Sequence, residues 1–276
     1  MVPEPAGPEL AGKVARHLAQ VEGVAAVALG GSHARGTAKP DSDLDLGIYY
    51  EAGTPLDVAS VRAVARTLAG PDAEVTEIGG WGPWINGGGW LQIEGRSVDF
   101  LYRDVALLGT VLDECEAGRS RLAAQPGHPH GFHTHIYLGE LHYAVPLFQR
   151  GDVLTHLKAR AERYPPLLRE QLLRDFAWQA GFWLDVAGKS AARGEAFYVA
   201  GCLFQCVACL VQVLYARNER FFVNEKGAVA EVMTFAQRPA DFEGRVQQLL
   251  GAPGDTPIAL TRSVQAARAL SAATLE

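Results

Sequence analysis

Between residues 30 and 46 the chain reads Gly30-Gly31-Ser32-His33-Ala34-Arg35-Gly36-Thr37-Ala38-Lys39-Pro40-Asp41-Ser42-Asp43-Leu44-Asp45-Leu46. Asp43 and Asp45 alternate with Leu44 and Leu46, and in an extended strand that alternation puts two carboxylates on one face and two leucines on the other. Carboxylates held side by side repel unless a cation lies between them, and hard oxygen donors suit magnesium or a similar divalent ion. Just upstream, the Gly30-Gly31-Ser32 turn can offer backbone N–H groups and a hydroxyl to phosphate oxygens. A phosphate cradle followed by metal-binding carboxylates is the chemistry of a transferase that consumes a nucleotide.

Such groups need a sheet to hold them. A helix over 9–21 closes at Gly23, a strand over 24–29 runs straight into the Gly-Gly-Ser turn, and a strand over 43–50 carries the acids. An amphipathic helix over 55–68 stops at Gly70-Pro71, and 74–78 reads as a further strand. Segments 90–93 and 97–102 form a hairpin about Glu94-Gly95-Arg96, and a helix over 104–116 follows. In the second arm of the hairpin, Val98-Asp99-Phe100-Leu101-Tyr102 offers a third carboxylate flanked by apolar residues. From Leu138 onward the pattern is all-helical, with segments over 139–148, 153–163, 167–187, 196–216, 227–235, 242–250 and 258–273. The fold class expected is α+β: a mixed-sheet domain over 1–117, a linker over 118–136 and an all-helical domain over 137–276.

Gly30-Gly31-Ser32 followed by Asp43-Leu44-Asp45-Leu46 resembles the signature of the DNA polymerase β-like nucleotidyltransferase superfamily. The longer string, Gly-Gly-Ser-x-Ala-Arg-Gly ending in Ser42-Asp43-Leu44-Asp45-Leu46, is similar to its minimal bacterial members, among them the aminoglycoside and lincosamide adenylyltransferases. Asp99 matches the third carboxylate that the family carries on a later strand. Taken singly, Asp41, Ser42 and Asp43 after Pro40 could form a loop and cap, and Asp99 could be a solvated edge acid. Three parts in the right order at this spacing favour the catalytic reading. The resemblance covers residues 24–102.

The resemblance implies a magnesium-dependent nucleotidyltransferase whose N-terminal catalytic domain has a helical partner, with substrate in the cleft between them. It would move a nucleoside monophosphate, AMP from ATP, onto a hydroxyl and release pyrophosphate. Two magnesium ions would be held by Asp43, Asp45 and Asp99, the first two bridging both ions and Asp99 holding the acceptor-side one. Gly31 and Ser32 would bind the β- and γ-phosphates. The proton of the acceptor would go to Asp99 or to a separate carboxylate of the helical half, Glu140 or Glu225, each of which reads equally as a solvated acid. Arg35 is either a phosphate-binding cation or a surface arginine paired with Asp41 or Asp43. Lys226, in Asn224-Glu225-Lys226-Gly227, resembles the lysine that helical partners in this superfamily send to the triphosphate; otherwise it is a solvated turn lysine. Tyr198 either faces the cleft or packs. The acceptor implied is a small hydroxylated molecule of the aminoglycoside kind. The alternative is an antitoxin-like or protein-modifying member acting on a partner protein.

Composition narrows the field. A length of 276 residues, 48% of them hydrophobic and 20% charged, suits an ordinary globular chain of one large or two modest domains. The net charge of −6 supplies no general basic footprint, so no nucleic-acid partner is expected, and an acidic surface attracts cationic acceptors. The N-terminus lacks the basic start and apolar core of a secretory signal. Residues 196–216 are uncharged and long enough to span a bilayer, but Gly201, Gln205 and Gln212 interrupt them, and a buried central helix rather than a membrane partner is expected. Cys202, Cys206 and Cys209 fall at i, i+4 and i+7 within that segment, which points to core packing over redox or zinc chemistry. Few cysteines suit a reducing cytoplasm.

Two stretches stand apart. Residues 79–90 concentrate three of the five tryptophans, Trp81, Trp84 and Trp90, in a glycine-rich loop that either covers a sheet edge or stacks on substrate. His128, His130, His133 and His135 crowd together without the paired spacing of a structural zinc site, and a polar loop between domains is expected.

Overall fold

The computed structural model describes residues 7–51 and 53–276. In chain order its elements are α1 (Gly7–Leu18), β1 (Val24–Leu29), α2 (Gly31–Ala34), β2 (Leu44–Tyr50), α3 (Val58–Ala69), β3 (Gly88–Ile93), β4 (Arg96–Asp104), α4 (Val105–Glu116), β5 (Leu122–Ala123), β6 (Phe132–His133), α5 (Ile136–Tyr143), β7 (Val145–Gln149), α6 (Val153–Arg160), α7 (Pro166–Ala191), α8 (Ala196–Arg217), α9 (Ala228–Val232), α10 (Phe242–Gly251) and α11 (Pro257–Leu275). They divide into two compact units. One comprises the described residues up to Asp113 with Tyr137–Arg163, the other Glu114–Ile136 with Tyr164–Glu276. The stretch expected to be a linker, 118–136, therefore belongs to the helical unit, and 137–163 returns to the sheet unit.

The sheet unit is built on a five-stranded sheet in the order β3-β4-β2-β1-β7. β2 and β4 run parallel, and the other neighbours are antiparallel. One face is the core: Leu44, Leu46 and Ile48 of β2 and Val98, Phe100 and Tyr102 of β4 are fully buried with Leu10, Val14 and Leu18 of α1 and Val61 and Ala65 of α3. Each of the large side chains contributes about 1.5–3 kcal/mol by leaving water. The β3–β4 hairpin turns through Glu94 and Gly95, whose φ of 51° and 79° match the mirror-image turn that twisted hairpins favour.

Two sequence expectations fail here for local reasons. Residues 74–78 are not a strand: Thr76 N–H donates to Gly88 O at 2.7 Å and Thr76 Oγ1 accepts from Gly88 N–H at 3.0 Å, so the segment is fastened to the edge of β3 at one residue. The helix expected over 139–148 ends at Tyr143, because Pro146 disfavours helical backbone in the residue before it. The chain continues as β7 on the sheet edge, where a proline is tolerated.

In the helical unit, α7 and α8 pack on each other and on α11. α7 buries Leu168, Leu172, Phe176, Ala180, Leu184 and Ala187, a stripe at helical spacing. α8 is long and apolar enough to cross a membrane by length and composition, yet 61% of its most apolar window is buried within the fold. Cys202, Cys206 and Cys209 are among its buried residues and are free thiols. Burial pushes the Cys206 thiol up to about 12 and Cys209 higher still, so neither is a ready nucleophile.

The histidine run is not a polar loop. His130, His133 and His135 are buried at 6%, 6% and 3% exposure, with neighbouring rings 4.8 and 5.6 Å apart and all three against Phe176. The pairing of β5 with β6 turns the segment inward.

Candidate active site

The parallel register of β2 and β4 sets Leu44 opposite Val98, Asp45 opposite Asp99 and Leu46 opposite Phe100. The apolar members are fully buried in the core, so alternation sends Asp45 and Asp99 out of the other face as direct neighbours. Asp43 lies just before β2, exposed.

The cradle is bonded to this pair. Gly30 N–H donates to Asp45 O at 2.8 Å, and Gly31 has φ +57° with its Cα against the Asp45 side chain. A Cβ on Gly31 would meet Asp45 Oδ2 at 1.7 Å, so both the backbone conformation and the space require glycine. α2 begins there. The N–H groups of Ser32 and His33 precede Ala34, whose N–H makes the first intrahelical bond, to Gly30 O at 3.1 Å, and so can face a ligand. Arg35 closes the turn, its N–H donating to Gly31 O at 3.3 Å and its guanidinium lying 5.3 Å from the centre of the Tyr143 ring. The loop back to β2 is pinned by Ser42, whose Oγ accepts from Lys39 N–H at 2.8 Å and whose carbonyl lies 3.4 Å from His33 Nε2.

Glu140 has a different task from the one expected. Both its oxygens accept from Arg103, at 2.9 and 3.0 Å, and the Arg103 guanidinium also lies 5.4 Å from the centre of the Tyr137 ring. Burial works against the charge on Arg103, but the facing carboxylate of Glu140 outweighs it and raises the guanidinium pKa. Held by both oxygens, the Glu140 carboxylate braces Arg103. Sequence reading misses this pair because its members are 37 positions apart. The available signal is that Arg103 follows Asp99 by four residues on one strand and so shares its face.

The two candidates at 225 and 226 lie in the helical unit. Glu225 accepts from His130 N–H at 3.1 Å and sits 3.2 Å from His128 Nδ1. Burial opposes its charge, but these partners hold its pKa below the usual value. Lys226 is exposed in the turn before α9, with its N–H donating to Asn224 Oδ1 at 2.7 Å. Tyr198 is half-exposed at the start of α8.

Among the described residues, no three His, Cys, Asp or Glu side chains converge as a ready-made metal site. By chemistry the acids still suit a divalent ion: Asp45 and Asp99 are hard oxygen donors of like charge at paired positions, and a cation between them relieves their repulsion. Asp43, a further hard oxygen donor, lies exposed just before β2.

The family model of the nucleotidyltransferase domain matches residues 12–103, from within α1 to the end of β4. Gly31, Ser32, Arg35, Asp43, Asp45 and Asp99 all fall inside the match; Glu140, Glu225 and Lys226 fall outside it. Over these residues, about a third of the chain, the protein is similar to the nucleotidyltransferase domain family. A solved structure similar to it is a nucleotidyltransferase-like protein from Exiguobacterium sibiricum 255-15, at 14% identity and a TM-score of 0.45, covering 97% of this chain and 74% of that one. No curated protein matches the chain.

Proposed function

We propose that this protein transfers AMP from ATP to a hydroxyl of a small molecule, with two magnesium ions, and releases pyrophosphate. The observation that carries the reading is the registered Asp45–Asp99 pair with Gly31 pressed against Asp45. Ions held by Asp43, Asp45 and Asp99 would neutralise charge building on the phosphoryl oxygens and acidify the acceptor hydroxyl. The Ser32 hydroxyl and the N–H groups that follow Gly31 hold the β- and γ-phosphates, and the Arg35 side chain adds positive charge beside them. Asp99 orients the incoming hydroxyl and accepts its proton at a carboxylate oxygen. The acceptor oxygen bonds to the α-phosphorus as the bond from that phosphorus to the bridging oxygen breaks, and pyrophosphate leaves towards the cradle. A net charge of −6 favours a cationic, polyhydroxylated acceptor such as an aminoglycoside.

The test is pyrophosphate release from ATP and magnesium across a panel of aminoglycosides, lincosamides and simple polyols, with Asp43→Asn as control. Acceptor-dependent release that disappears in the control is the expected result. Release that persists in Asp43→Asn would overturn the mechanism, and silence of the wild type across the panel would overturn the small-molecule acceptor.

A further inference from the structure

Across the sheet, in the order β1-β2-β4-β3, stand the cradle after β1, Asp45 on β2, Asp99 on β4 and then Trp90 on β3. Trp90 is the registered partner of Asp99, so the two side chains leave the same face. Its neighbours Leu91 and Ile93 are buried, whereas Trp90 is 71% exposed. Trp81 stacks on it with ring centroids 4.5 Å apart and planes 21° from parallel. Gly88, at the start of β3, is required chiefly by the Phe100 carbonyl of β4, which a Cβ there would meet at 1.7 Å; Trp81 Cζ3 would lie 3.1 Å away. The two indoles also border a cleft of about 570 Å³ along the outer edge of β3, with Ala69, Asp72, Glu74 and Thr76, whose lining includes none of Asp43, Asp45 and Asp99. Trp90 therefore presents an exposed aromatic face on the edge strand, on the same side as Asp99.

In-line displacement at phosphorus places the entering and leaving oxygens on opposite sides. With the leaving pyrophosphate at the cradle, the acceptor enters from the β3 side. Neighbouring strands are about 4.8 Å apart, so a hydroxyl reaching Asp99 belongs to a molecule lying over Trp90. We propose that Trp90, backed by Trp81, is the acceptor platform and selects acceptors whose hydroxyl-bearing ring offers an apolar face, either the C–H face of a sugar or cyclitol or the face of an aromatic ring. The proposal rests on the nucleotidyl-transfer reading above.

The test compares wild type, Trp90→Ala and Trp90→Phe with ATP, magnesium and three probes: kanamycin (cyclitol and sugar rings), benzyl alcohol (an aromatic ring) and glycerol (no ring). Exposure of Trp90 means that Trp90→Ala should fold, which an unchanged melting midpoint checks. The expected result is a rise of about 10-fold in KM for the ring acceptors in Trp90→Ala, with KM for ATP and the glycerol rate unchanged and Trp90→Phe largely restored. Whichever ring probe is affected identifies the kind of ring. Turnover by wild type with an unchanged acceptor KM in Trp90→Ala overturns the platform and leaves the transfer reading standing. A rise confined to the KM for ATP also overturns it, by assigning the ring to the nucleobase. If wild type transfers to no probe, the small-molecule transfer reading fails, and tryptophan fluorescence then decides the platform. Quenching by a ring probe in wild type but not in Trp90→Ala upholds it, and its absence overturns it.

Discussion

Asp45 and Asp99 carry like charges at positions that a parallel ladder places side by side. Such a pair costs about 0.2–1 kcal/mol of stability, a cost that makes sense at a site built for a cation. Asp45→Asn is therefore expected to melt at the wild-type temperature or slightly above it in metal-free buffer, while pyrophosphate release falls by about 100- to 1,000-fold. If the pair holds magnesium as proposed, the ion should raise the midpoint of the wild type and not of the variant. A variant that melts lower, or keeps turnover, would contradict this assignment. Gly31→Ala makes the complementary case: its Cβ would collide with Asp45 Oδ2 in a left-handed conformation, so it should lose both activity and about 1–2 kcal/mol of stability. At this scale the acids were legible, because alternation with leucine is a period-two signal. The contact of Gly31 with Asp45 was not, since it depends on β1 and β2 pairing with Leu29 opposite Leu46.

Among the elements, sequence pattern misassigned 74–78 as a strand and missed the break between α5 and β7, and that break bears on Glu140. α5 brings Glu140 to Arg103, and the chain then turns at Ala144 into a strand on the edge of β1. Arg103 is 4% exposed, so removing its partner leaves a buried charge uncompensated. Glu140→Gln is expected to cost about 3 kcal/mol, and Arg103→Met together with Glu140→Leu to recover most of it. Chemical denaturation of the three variants reads this directly. If Glu140 were instead the base, Glu140→Gln would keep its stability and lose activity with a changed pH profile. The long helices α7, α8 and α11 were legible to within a few residues, because apolar spacing over many turns is a strong signal. β7 was not: an apolar run carries no period, and only Pro146 marks where the helix must end.

At the scale of the whole chain, acid sensitivity should be governed by the helical unit. Burial pushes the pKa of His130 and of His135 down to about 4, and that of His133 down to about 2 with the nearby imidazoles adding to the shift. The surroundings offer these groups little that would favour a charge. His130 Nε2 lies 3.6 Å from Cys209 Sγ, and Glu225, which accepts from the His130 backbone, only partly offsets its burial. His135 lies between Ser120 Oγ at 2.8 Å and Gln212 Oε1 at 3.1 Å, and its burial outweighs the Gln212 bond, which alone would favour the charge; His133 Nε2 has no hydrogen-bond partner. Since the folded-state values lie below the unfolded value of about 6.5, unfolding takes up protons, and stability is full above that pH and falls as pH drops beneath it. Each imidazole contributes up to about 1.4 kcal/mol per pH unit until its own folded-state value is reached. Glu225, also depressed, adds a loss of the same sign in a lower window, below about pH 4.3. Urea midpoints taken from neutral pH down to about pH 5 should therefore fall steeply. His133→Phe, which replaces an orphaned imidazole by a ring that can pack on Phe176, should flatten the slope by about one proton and gain most at the acid end. A midpoint that stays level from pH 7 to pH 5 would mean that these imidazoles are not buried neutral, and the inward turn of residues 128–135 would have to be abandoned with them.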